Sequence, residues 1–218
     1  MSERARGVYR YWRDNARQAV EEPWTIGIDG AGWRLAGERQ VDGRAVLRVE
    51  AHYRQGGCQA MALHWEGEGG PLRVHYRRDQ QSLLWWRDNE TPSRLTLPAN
   101  CQLFPLLRAA TGPLLPWLAG GRRTLALPDL HEPGTARFLA PRLSERHATG
   151  GPEQFRYFGG EYGEAGSDYW LDPQGLVERY RWTAPDGLWE VHLEETRIDP
   201  AFDAAQLLSE RSAPATAR

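Results

Sequence analysis

The chain has 218 residues, 40% of them hydrophobic and 26% charged, with 27 basic against 29 acidic side chains and a formal charge of −2. That length gives one larger domain or two small ones ample material for a core, and the near-neutral balance excludes the basic excess a nucleic-acid groove requires. All 27 cations are arginine, which excludes a lysine Schiff base, a pyridoxal phosphate anchor and a P-loop lysine.

The opening, Met1-Ser2-Glu3-Arg4-Ala5-Arg6, leads into Tyr9-Arg10-Tyr11-Trp12 without the apolar core of a secretion signal. No uncharged run approaches the roughly 20 residues of a membrane-spanning helix. Two cysteines, Cys58 and Cys101, are too few for a disulfide scaffold or a cysteine-based zinc site. These features predict a cytoplasmic protein with free thiols and a flexible N-terminus over residues 1–6.

Residues 7–98 read as short strands: Val8–Arg13, Pro23–Asp29, Gly32–Gln40, Ala45–Arg54, Gln59–Glu66, Leu72–Arg78 and Ser82–Arg87. Turn chemistry at Asp29-Gly30, Asp42-Gly43, Gly56-Gly57 and Gly67 to Gly70 separates them, the pattern of an antiparallel meander. Pairing Leu47 with Trp65, Val49 with Leu63 and Ala51 with Met61 closes one hairpin. Pairing Met61 with Tyr76, Leu63 with Val74 and Trp65 with Leu72 closes the next. Both registers put the apolar residues on one face and Arg48, Glu50, His52, His64, Arg73, His75 and Arg77 on the other. A slip of one residue scrambles both faces, so the agreement fixes the register.

Leu83-Leu84-Trp85-Trp86 is apolar on both faces and predicts cover on both sides. The expected cover is Leu103–Leu118, a lid of short helical turns interrupted by prolines 105, 113 and 116. Strands resume at Arg123–Leu127, Arg137–Leu143, Gln154–Phe158, Asp168–Leu171, Leu176–Thr183 and Leu188–Arg197. A short helix over Asp203–Glu210 and a disordered end complete the chain. The expected fold is mostly β: a single curved antiparallel sheet of about a dozen strands, an open or half-closed barrel over a short proline-broken helical lid. It forms one domain over residues 7–198, with the short helix and tail in 199–218.

Three stretches carry a family resemblance: Tyr9-Arg10-Tyr11-Trp12-Arg13-Asp14-Asn15 through Glu22-Pro23-Trp24-Thr25-Ile26 to Gly32-Trp33-Arg34-Leu35; the helical break at Leu103–Leu118; and the hairpin Tyr169-Trp170-Leu171-Asp172-Pro173-Gln174-Gly175-Leu176-Val177-Glu178-Arg179-Tyr180. Their order resembles the LolA-like half-barrel group, which includes lipoprotein carriers, uncharacterised bacterial proteins and the cofactor-free enzyme of violacein biosynthesis. The resemblance implies an open β-barrel over a helical lid and transfers no catalytic residue.

Among chemical candidates, His52, His64 and His75 share one face but are staggered, with arginines between them, so a salt-bridged surface is expected and no metal site. The acidic loop offers Glu161, Tyr162 and Asp168 as candidate general acid–base groups. Gly-x-Ser-x-Gly is absent, and the two thiols are expected to be inert. Aromatic residues are the strongest signal, because rigid rings line apolar ligand pockets.

The expected function is binding of a hydrophobic or amphipathic small molecule, lipid-like or aromatic, in the concave face. Trp85, Trp86, Phe104, Leu107, Trp117 and Trp170 would line the pocket, and Arg108 would meet an acidic head group. A cofactor-independent biosynthetic enzyme using the same pocket and a structural protein without a pocket are the alternatives. None of the three requires a cofactor, a metal or a nucleic acid.

Overall fold

The computed structural model describes residues 2–30, 32–67, 70–88, 90–129, 136–139, 142–147, 152–158 and 165–209. An eight-strand meander comes first: β1 (Ser2–Arg13), β2 (Ala16–Asp29), β3 (Gly32–Val41), β4 (Arg44–Arg54), β5 (Gly57–Gly67), β6 (Gly70–Asp79), β7 (Ser82–Arg87) and β8 (Ser93–Thr96). An insert follows, built from β9 (Cys101–Leu103), a 3₁₀ turn (Arg108–Ala110), α1 (Thr111–Ala119), β10 (Thr124–Pro128) and β11 (Ala136–Leu139). The chain then adds β12 (Arg142–His147), β13 (Glu153–Phe158), β14 (Ser167–Leu171), β15 (Val177–Ala184) and β16 (Gly187–Ile198).

Pairing of β1 with both β2 and β16 joins the two halves into one 13-stranded sheet, with β8 and β12 at its edges. Every neighbour is antiparallel, and the barrel stays open. Strands β9 to β11 form a separate three-stranded sheet in which β9 and β10 run parallel. The hairpin between β1 and β2 turns at Asp14 and Asn15, with φ of 49° and 65°. Short polar side chains tolerate this left-handed conformation, and it matches the twist of the flanking strands.

All six residue pairs expected for the hairpins β4–β5 and β5–β6 are present. Alternation explains this: Leu47, Val49, Ala51, Met61, Leu63, Val74 and Tyr76 all face one core and are nearly inaccessible. Beside them on this inner face lie Tyr9, Trp24, Ile26, Leu35, Leu83, Phe155, Tyr169 and Tyr180, and from the insert Leu103, Leu107 and Leu115.

Several expectations need correction. The N-terminus expected to be flexible over residues 1–6 is ordered from Ser2: residues 2–6 form the first half of β1, where Ala5 is buried between β2 and β16. The strand expected at Arg137–Leu143 is two strands, β11 and β12, in different sheets. Strands β8 and β9 were not foreseen, and Cys101–Leu103 enters the insert as a strand because its backbone pairs with β10. The outer side of β7 is not covered by the lid: Trp86 lies flat on His75, with ring centroids 5.3 Å apart, under the guanidinium of Arg77. Flat polar side chains shield that indole well enough to dispense with a second layer. The terminal helix is a shorter 3₁₀ turn, Ala204–Leu208, capped by the Asp203 carboxylate on the Ala205 N–H at 2.8 Å. The tail beyond Ser209 lies outside the described residues.

Candidate functional site

The centre of the half-barrel is filled by its own side chains. Tyr9, Tyr180, Leu35, Leu47, Leu83 and Leu107 are each 0% exposed, which leaves no water-sized void beside them. Glycines in the strands make this packing possible. At Gly37 a Cβ would lie 3.1 Å from Leu107 Cδ1, and at Gly7 it would lie 2.9 Å from the Trp24 ring. Trp24 and Leu107 thus occupy the space that side chains at positions 7 and 37 would need.

A buried polar junction holds the insert against the wall. Glu22 of β2 is fully buried; its Oε2 accepts from Arg39 Nη2 at 3.0 Å and from the Tyr11 hydroxyl at 3.3 Å. Its Oε1 accepts the backbone N–H of Arg108, and Arg39 Nη2 also reaches the Leu106 carbonyl at 3.2 Å. One carboxylate and one guanidinium thereby satisfy each other and two backbone groups of the insert. Leu106 itself is held at φ 62°, a left-handed conformation uncommon for a branched side chain. At the opposite end Phe202 packs edge-on against Trp33, and the Gln102 side chain donates to the Gly56 carbonyl at 2.8 Å.

Toward the β1–β2 and β15–β16 hairpins the inner-face residues pass from buried to half-buried, from Tyr11, Tyr180 and Val191 to Arg13, Trp182 and Trp189. An aromatic ladder leads there. Tyr169 stacks on Tyr180 at 4.5 Å, Tyr180 on Trp182 at 4.6 Å, and Trp182 on Trp189 at 5.6 Å, each pair within 15° of parallel. Tyr169 and Tyr180 are buried, whereas Trp182 and Trp189 are half-buried. The Arg108 guanidinium lies 4.8 Å over the Tyr180 ring and the Arg13 guanidinium 5.6 Å over Trp189.

The structure divides the residues expected to line a pocket. Leu107 is buried in the core, and Trp85 and Phe104 pack half-buried against it. Arg108 spans the polar junction and the ladder, while Trp117 lies on the insert's helix beneath the Arg123 guanidinium at 4.6 Å. Trp86 and Trp170 belong to the other face; Trp170 is flanked by Arg179 and Arg181 at 5.0 and 5.5 Å. In β14 it is Tyr169 and Leu171 that point inward, so Trp170 between them must point outward. Trp182 and Trp189, in phase with the buried Tyr180 and Val191, are inner-face indoles that the expected lining set does not include.

Glu161 and Tyr162 lie outside the described residues. Asp168 is on the outer face, where its carboxylate meets Arg181 at 3.1 Å and Arg156 at 3.8 Å. His52, His64 and His75 each sit beside a carboxylate, Glu50, Glu66 and Asp88, at 3.1, 3.3 and 2.9 Å. The outer face also carries a shallow depression of about 860 Å³ across β1 to β6, floored by Val8, Pro23, Thr25, Ala36 and Ala62. Its flanking charges are drawn into pairs such as Arg48–Glu38 at 3.1 Å and Arg34–Glu50 at 2.6 Å. Among the described residues no helix is long and apolar enough to cross a membrane.

No family model matches the chain, and no curated protein does. Solved structures similar in fold exist. One of them is a beta-barrel-like protein of the domain of unknown function DUF1849 from Brucella abortus, 10% identical with a TM-score of 0.53, over 90% of this chain and 98% of that one. At that identity the likeness concerns the fold alone. The chain shares with it an open, barrel-like antiparallel fold.

Proposed function

We propose that this protein binds a hydrophobic or amphipathic small molecule at the open end of its inner face. The observation that carries the reading is the ladder from Tyr169 to Trp189, which begins in the core and ends in half-buried indole. Water gains nothing from two stacked indoles left partly open, whereas an apolar guest recovers their contact area at about 25 cal/mol per Å². Arg108, stacked over Tyr180 at the inner end, suits an acidic head group. Trp85 and Phe104 extend the apolar surface along the core. Kinship with the LolA-like half-barrels accords with the fold and belongs to this proposal.

Native mass spectrometry of protein purified from its own host, followed by organic extraction, tests the reading. A co-purifying lipid or aromatic metabolite is the expected result. A protein that arrives empty and binds neither a fluorescent fatty acid nor an aromatic probe removes it.

A further inference from the structure

The two ends of the aromatic ladder differ in charge. At the outer end the Arg13 guanidinium lies over Trp189 and reaches Asp186 Oδ2 at 3.2 Å, while Asp186 Oδ1 accepts the Trp189 Nε1–H at 2.9 Å. The hairpin residues 13–16 and 184–187 carry three charged side chains, Arg13, Asp14 and Asp186. Asp14 is committed to the turn, accepting the Leu188 backbone N–H at 2.9 Å.

We propose that Trp189 and Asp186 form a binding site for a planar organic cation, which takes the place Arg13's guanidinium holds in the free protein. The proposal rests on the reading that the open end of the ladder receives a ligand, and it names the class of that ligand. The shape argument comes from the stack itself. Trp182 and Trp189 are parallel within 13°, so the next member of the series is another flat group at van der Waals distance. Across the strands the row Trp182, Trp189 continues into Arg13 and then Ala16, whose methyl leaves the place beyond it open.

The charge argument comes from Asp186. A guest that displaces Arg13 from the Trp189 face takes the place beside the Asp186 carboxylate, where a cation gains the pairing that Arg13 gives up. An anion in the same place faces Asp186 and Asp14 together. The indole face favours a cation independently, through its quadrupole. Arg13 yields readily, because its pair with Asp186 is solvent-exposed on both sides, at 41% and 52%, and such pairs hold weakly in water. The guanidinium, flat, cationic and bonded to a carboxylate, is the template for the guest.

The test is titration of the full chain, followed by calorimetry, with three probes: proflavine (planar cation), 2-naphthoate (planar anion) and decanoate (flexible anion). Proflavine should bind about tenfold tighter than naphthoate. Asp186→Asn should weaken proflavine severalfold, Arg13→Gln should strengthen it, and Trp189→Leu should abolish it while Trp189→Phe retains part. Unchanged proflavine affinity in both Asp186→Asn and Arg13→Gln overturns the proposal. If naphthoate or decanoate binds and proflavine does not, the cation site falls and the broader function stands. If no probe binds either wild type or Arg13→Gln, both fall. Circular dichroism of each variant separates lost binding from lost folding.

Discussion

Leu107 of the insert sits in the space that a side chain at Gly37 of β3 would occupy, with its Cδ1 3.1 Å from the position of that missing Cβ. The insert is thus keyed into the wall by a glycine in the middle of a strand. Alanine at 37 ordinarily gains a few tenths of a kcal/mol in backbone entropy. Here the added methyl would also lie 2.9 Å from the Pro23 carbonyl, which cannot give way. Gly37→Ala should therefore destabilise the protein by about 1–3 kcal/mol, measured by urea unfolding, and Leu107→Ala in the same background should recover part of the loss. A neutral Gly37→Ala would show that the insert is not held there.

Glu22 is the buried member of its pair with Arg39, whose side chain keeps 25% of its exposure. Truncation leaves the Arg39 guanidinium with the Leu106 carbonyl but without its carboxylate, and removes the acceptor of the Arg108 backbone N–H. Glu22→Ala should cost about 3 kcal/mol. Glu22→Gln, which keeps an acceptor, should cost less. Equal losses in the two variants would mean that shape alone matters at this position.

Face assignment makes a separate prediction for binding. Trp182→Ala should weaken any ligand at the open end, whereas Trp86→Ala and Trp170→Ala should not, since both indoles lie on the outer face beneath arginines. Comparable losses from all three would place the ligand elsewhere.

Burial pushes the Cys58 thiol up to about 12 and the Cys101 thiol up to about 11. At pH 8 almost no thiolate exists at either position, and both side chains are buried. Iodoacetamide should therefore leave the native protein unmodified over hours and add two groups in denaturant. Rapid single labelling of the native protein would contradict the packing around one of them.

Acid should destabilise the fold through groups that can be named. Arg34 holds the Glu50 carboxyl below its ordinary range, and the Ala201 N–H with Arg4 does the same for Asp199. A carboxyl with a depressed folded-state pKa contributes stability that is present at neutral pH and lost as pH falls through that value. Asp172 acts in the opposite sense: burial raises its pKa, and protonation in acid relieves a cost. The depressed groups dominate, so Tm should be level from about pH 7 to about pH 5 and fall below about pH 4. Arg34→Gln should make that fall shallower; parallel curves for variant and wild type would exclude the Glu50 pair as a contributor.

The sheet was legible in the sequence because its signal is local. Strict alternation over Leu47–Ala51, Met61–Trp65 and Leu72–Tyr76 allows one register, and a slip of one residue would bury arginine and histidine. The inner phase of β16 is equally plain, since Trp189, Val191 and Leu193 recur at every second position. Tyr169-Trp170-Leu171 carries no such signal: all three residues are apolar, and only pairing with β13 and β15 decides that Trp170 faces outward. Residues 2–6 read as a flexible N-terminus until β16, almost the whole chain away, arrives to pair with them.

Composition and alternation by themselves determined a mostly β, arginine-only chain with an antiparallel meander, because those properties depend on composition and on neighbours one or two residues apart. Tertiary structure alone decided that Leu107 fills the centre, that Glu22 anchors the insert, and that Tyr169, Tyr180, Trp182 and Trp189 form one stack opening beside Asp186. These contacts join residues far apart along the chain, Glu22 to the Arg108 backbone across 86 positions and Arg13 to Asp186 across 173. No local pattern encodes which of them the closing sheet brings within reach; that depends on how the strands curve and where glycine lets another chain segment approach.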